Sequence, residues 1–118
     1  MYKIKTFNYL KHYRDRTGFS LQDTALIIGM QPATLSRIES GIIAPSIEVI
    51  LAYHLILKIP IGDLFKEHVR EVISTCLIHS LDLKEYLLDE KSTTAIHKRL
   101  SLLSIITSRL KELQSQYE

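Results

Sequence analysis

Hydrophobic residues in this chain recur at three- and four-residue spacing almost from end to end, the period of an amphipathic helix. Leu21, Ala25 and Ile28 make one apolar stripe, Leu35 and Ile38 another, and residues 47–57 form a denser apolar run. Alternation with a period of two does not extend over any useful length, and no Asn-Gly or Asp-Gly pair offers a hairpin turn. The expected fold class is all-α.

Capping and turn residues set the expected boundaries. A first helix runs from about Phe7 to Arg16, with Phe7, Leu10, Lys11 and Arg14 at helical spacing, and Gly18 stops it. Ser20 caps a second helix that ends at Gly29, where the chain can turn through the left-handed region. Gln31 precedes Pro32, which suits the first turn of a third helix reaching about Ser40 and closed by Gly41. Ser46 caps a fourth helix over Ile47 to Leu57, with Glu48 near its positive end, and Pro60 opens a short fifth ending near Phe65. From Lys66 the segments lengthen. One spans about Lys66 to Ser80, with Val69, Val72, Ile73, Cys76 and Leu77 on one side. Asp82 and Glu85 look like a capping box for a separate helix to about Asp89, and a last helix starts near Thr94. The expected organisation is a domain over 1–65 and a helical region over 66–118.

The third helix separates into two faces at about 100° per residue. Leu35 and Ile38 point to the core, while Ala33, Ser36, Arg37 and Ser40 lie opposite. An ordinary surface helix would carry acidic residues and lysines there. Small residues with one arginine instead let a helix enter a groove closely while Arg37 reaches guanine edges or phosphates. Helix, glycine turn, helix, glycine stop is the two-helix unit that lays its second helix in the DNA major groove.

Over about residues 8–65 the sequence resembles the lambda-repressor-like, Cro/CI or Xre type of helix-turn-helix domain. The resemblance rests on Leu10, Arg14, Gly18, Ser20, Ala25 and Gly29, on the run Leu35-Ser36-Arg37-Ile38-Glu39-Ser40-Gly41, and on Pro45, Ser46, Leu57, Leu64 and Phe65. It implies a compact five-helix domain that binds an operator as a dimer. It places Gln31, Ala33, Thr34 and Arg37 where the family meets base edges or nearby phosphates, and Arg14 with Glu39 where it often has an internal ion pair. Ser20, Gln22, Ser36 and Ser40 complete the expected DNA-facing set. The chain departs from the family at Leu21, where glutamine is common and Gln22 is displaced by one. It departs again at Pro32 and Ala33, where longer polar readers are common, at Ile42 and Ile43, where basic residues often stand, and at His54, which replaces a small residue. The two isoleucines either make a protein contact or tuck into the core; His54 reads as a satisfied, half-buried histidine.

Composition narrows the remaining classes. The chain has 118 residues, 46% of them hydrophobic and 24% charged, which is globular rather than disordered. Net charge is only +2, and the excess sits early: Lys3, Lys5, Lys11, Arg14 and Arg16 face Asp15 alone, whereas residues 66–118 hold eight basic and eight acidic groups. No apolar run reaches the ~18 residues of a membrane span, no secretory signal opens the chain, and the single cysteine excludes an internal disulfide, so a cytoplasmic location is expected. Cys76 and His79 are too few for a structural zinc site, and the four glycines stand too far apart for a phosphate loop. No cofactor, no metal and no catalytic role are expected.

The last helix spaces Ile96, Leu103, Leu110 and Tyr117 seven apart, with Ile106 and Leu113 between them, a heptad-like stripe interrupted by Arg99. Ile96, Leu103, Ile106, Leu110 and Leu113 are the candidate dimerisation residues. The alternative is that the apolar faces of 66–118 pack on each other within one chain. The expected function is a sequence-specific regulator of transcription, a repressor that binds double-stranded DNA at an inverted repeat as a homodimer. A second reading is an antitoxin or other interaction module whose C-terminal helices bind a partner protein.

Overall fold

The computed structural model describes residues 7–118; Lys3 and Lys5, counted above in the basic excess, lie outside them. Among the described residues there are seven helices and no strand: α1 (Leu10–Thr17), α2 (Leu21–Ile28), α3 (Pro32–Glu39), α4 (Ile47–Leu57), α5 (Ile61–Leu64), α6 (Lys66–Asp89) and α7 (Thr94–Gln116). The chain is all-α. It divides into two compact units, the first ending at Glu67 and the second running from His68 to Glu118.

Each helix of the first unit contributes to one core: Leu10 from α1, Ala25 from α2, Leu35 and Ile38 from α3, Val49, Tyr53 and Leu57 from α4, Leu64 from α5, and then Phe65. Leu21 and Ile28 pack at its edge, so the α2 stripe faces inward as its spacing predicts. The Tyr9 N–H donates to the Leu64 carbonyl at 2.9 Å, which ties the start of α1 to the end of α5.

Side-chain caps set the starts of α2, α4 and α7. Ser20 Oγ accepts from the Asp23 N–H at 3.0 Å and Ser46 Oγ from the Val49 N–H at 3.3 Å, each satisfying a donor that the first turn leaves open. α1 starts at Leu10 rather than Phe7 because Asn8 intervenes. Its Oδ1 accepts from the Leu10 N–H and its Nδ2 donates to the Ile38 carbonyl, both at 3.0 Å. Pro60 stands just before α5, as its N-cap, rather than in its first turn.

The largest correction concerns the expected break near Asp82: α6 runs unbroken from Lys66 to Asp89. No glycine or proline interrupts Ser80-Leu81-Asp82-Leu83-Lys84-Glu85, so the backbone ladder supplies the partners that a capping box would otherwise provide. The inward face of α6 is also narrower than expected. It passes through Ile73, Ser80 and Leu87 at seven-residue steps, while Val72 and Cys76, which the stripe included, are exposed. In the second unit α6 and α7 form an antiparallel hairpin, with Arg70 near the start of α6 donating to the Tyr117 carbonyl after α7. Thr93 Oγ1 accepts from the Ile96 N–H at 3.1 Å and starts α7.

Gly29 sits at φ 89°, and its N–H donates to the Ala25 carbonyl at 2.8 Å. A Cβ at this position would meet nothing within 4 Å, so the need for glycine is conformational rather than steric. Gly29→Ala is therefore expected to cost about 1–2 kcal/mol through left-handed backbone strain alone, and Gly29→Asn less, because asparagine tolerates that region. Thermal melts of the two variants followed by circular dichroism check the order; equal losses would mean that something other than backbone conformation selects glycine there.

Candidate nucleic-acid interface

The turn at Gly29 to Gln31 sets α3 at the surface with one face inward. Leu35 and Ile38 are buried, and on the other side Ala33, Ser36, Arg37 and Ser40 are exposed, as is Gln31 at the N-cap. Thr34 is half-buried. Within α3 itself the exposed face carries nothing longer than serine except Arg37, whose guanidinium enters no ion pair among the described residues, and Gln31 stands beside it at the N-cap. The backbone beneath it is closely held. The Arg37 carbonyl accepts from the Ile42 N–H at 2.9 Å, the Ile43 N–H at 3.2 Å and the Ser40 hydroxyl at 3.2 Å, closing the C-terminal end of α3. Ser20 and Gln22 are exposed at the start of α2, with the Ser20 hydroxyl oxygen engaged in its cap.

The orientation of α3 is fixed from within by a buried polar cluster. Arg14 of α1 meets Glu39 of α3 with two parallel bonds, Nε to Oε2 at 2.7 Å and Nη2 to Oε1 at 2.9 Å. The third guanidinium nitrogen, Nη1, donates to the Phe19 carbonyl at 2.8 Å and lies 3.5 Å from Asp15. Tyr53 of α4, wholly buried, donates its hydroxyl to Glu39 Oε2 at 2.6 Å. One carboxylate thus joins three helices. The hydrogen bonds to Glu39 raise the Arg14 guanidinium further above its ordinary value. Burial first, and then donation to the Glu39 carboxylate, hold the Tyr53 phenol well above the ordinary tyrosine range.

Sequence reasoning placed Arg14 and Glu39 near each other but did not find Tyr53 or Asn8. Tyr53 had a signal: Val49, Tyr53 and Leu57 stand four apart on one face of α4, so a hydroxyl sits in an otherwise apolar stripe. Asn8 had none, because its partner lies 30 residues away. Ile42 and Ile43 are exposed rather than tucked into the core. His54 is half-buried, and Nδ1 donates to the Ile59 carbonyl at 2.7 Å. Among the described residues no group of three or more His, Cys, Asp or Glu is arranged to hold a metal, and no helix is long and apolar enough to cross a membrane.

On α7 the candidate dimerisation stripe divides. Leu103 is buried, Ile96, Leu110 and Leu113 are half-buried, and Ile106 is exposed. The most exposed apolar side chains of the hairpin lie elsewhere, at Val72, Ile78, Leu81 and Leu88, each 60–63% exposed.

Removing one member of the buried cluster leaves another stranded. Glu39→Ala is expected to cost about 3–5 kcal/mol because Arg14 then stays buried without its buried carboxylate partner, with only the exposed Asp15 at 3.5 Å beside it, measurable by urea denaturation. Tyr53→Phe has a pH signature. The Tyr53 proton is held more tightly in the fold than in the unfolded chain, so its stabilisation is complete below the ordinary tyrosine pKa of about 10 and is lost as pH rises further. The stability gap between wild type and Tyr53→Phe should narrow above pH ~10. A gap that stays constant from neutral to alkaline pH would show that the phenol proton is not held by the fold.

Residues 10–64 match the helix-turn-helix family. No curated protein and no solved structure matches the chain. The matched segment begins with α1 and ends with α5, and it contains the turn at Gly29 and the whole buried cluster. From Leu10 to Leu64 the chain is a helix-turn-helix domain of the Xre, lambda-repressor-like family, followed by C-terminal helices.

Proposed function

We propose that this protein is a sequence-specific DNA-binding regulator of transcription, a repressor that acts as a homodimer on an inverted-repeat operator. The observation that carries the reading is the outer face of α3, small residues around an Arg37 that enters no ion pair among the described residues, on a helix anchored from beneath by Arg14, Glu39 and Tyr53. A low outer face lets the helix approach base edges, and Arg37, the one long side chain on that face within α3 itself, is of the type that pairs bidentately with guanine. Gln31, Ala33, Thr34, Ser36 and Ser40 flank it, with Ser20 and Gln22 available to phosphates. Ala33 suits the methyl group of thymine.

Dimerisation through residues 66–118 follows from what one small domain lacks. A single module buries too little surface for tight specific binding, and two-fold pairing doubles its contacts. The exposed apolar side chains of the hairpin, Ile105 and Ile106 of α7 among them, supply surface for such pairing. The same surface favours a second reading, in which the hairpin binds a different protein, as an antitoxin does. Light scattering on the intact protein separates the two: a dimer mass at micromolar concentration supports self-pairing, and a monomer mass supports a foreign partner.

Selection of bound sequences from a random DNA pool tests the main reading directly, and recovery of an inverted repeat is the expected result. On that sequence Arg37→Ala should lose about 1–3 kcal/mol of specific binding while non-specific binding changes little. An equal loss on every sequence would make Arg37 a phosphate clamp.

A further inference from the structure

The second unit contains a groove that DNA binding does not use. It lies between α6 and α7, has a volume of about 420 Å³, and is walled by Leu81 and Leu88 from α6 and by Leu100 and Leu103 from α7. That volume falls within the roughly 300–1,000 Å³ of small-molecule sites. Two ammonium groups, Lys84 and Lys111, stand at the groove, one from each helix, and no carboxylate lines it. Neither lysine enters an ion pair among the described residues. Ser104 and Ser108, one turn apart on α7, add two hydroxyls that make no hydrogen bond among the described residues.

We propose that this groove binds an anionic amphiphile, a molecule with an unbranched apolar chain and a carboxylate head. The leucines cover the chain, and the head lies against Lys84 and Lys111 with the serine hydroxyls as further donors. Apolar walls with a few convergent polar groups are the usual composition of a ligand site, and here every charge in the lining has the same sign. That sign also argues against a second copy as the occupant. Two copies related by a two-fold axis through the groove would each bring the same patch, so four ammonium groups would converge with no carboxylate in the lining to offset them. Self-pairing is left to the other apolar residues of the hairpin, such as Val72, Tyr86, Leu102 and Ile106. The site is independent of the reading given under Proposed function, because its test needs no DNA.

Calorimetric titration of the intact protein with decanoate is the direct test, with decanol and decyltrimethylammonium as neutral and cationic controls, all below micelle-forming concentrations. Decanoate should bind saturably at one site per chain, and the cationic control should not. The double variant Lys84→Gln, Lys111→Gln should weaken decanoate at least about tenfold, as expected for losing charge-assisted hydrogen bonds. Ser104→Leu, at an exposed position, fills the groove and should abolish binding while the circular dichroism spectrum is unchanged. The proposal is overturned if no decanoate binds or if the cationic control binds as tightly. It is equally overturned if Ser104→Leu still binds, or changes the oligomeric state instead, which would make the groove a seat for protein.

Discussion

The Glu39 carboxylate is the point on which the N-terminal domain turns. It is buried, and a buried carboxyl group is costly without partners, so these are supplied by the fold. Arg14 supplies two bonds from α1 and Tyr53 a third from α4. Apolar packing of Leu35 and Ile38 into the core is non-directional, so by itself it fixes the roll of α3 less sharply than a directional bond does. A forked guanidinium opposite a carboxylate has essentially one good geometry. The cluster thus determines which face of α3 looks outward, and the neutral hydroxyl of Tyr53 completes the coordination without adding a second positive charge.

Much of this domain is legible in the residues alone. Ser20, Gly29, Pro32 and Ser46 each have one strong local preference, and the expected ends of α2 and α4 coincide with those observed. The polar face of α3 was legible for a related reason, because helical periodicity separates Leu35 and Ile38 from Ser36 and Arg37 with no need to know what lies beneath. Asn8 escaped because its role depends on a carbonyl that only the tertiary fold brings near.

Legibility fails differently in the C-terminal helices. A capping box and a helix interior can share the same residues, as Asp82 and Glu85 do, and only a breaker residue would have told them apart. Heptad-like spacing on α7 marks a face that wants an apolar partner, without saying whether the partner belongs to the same chain. Leu103 is buried and Ile106 is exposed, although the repeat treats them alike. Periodicity gives direction around a helix; it does not give the identity of the neighbour.

In the proposed reading, where α3 enters the groove, its brevity limits how much DNA sequence one domain can hold in view. Eight residues at 1.5 Å each span roughly 12 Å, the rise of about three to four base pairs. A word of about four letters recurs by chance every ~256 positions, against the ~10⁶–10⁹ competing sites that a genome offers. With one long side chain on its outer face, α3 spells less than a full word. An address that is unique in a genome has to be assembled from several such words, so the information a regulator of this build carries lies as much in their spacing and order as in the letters each helix reads.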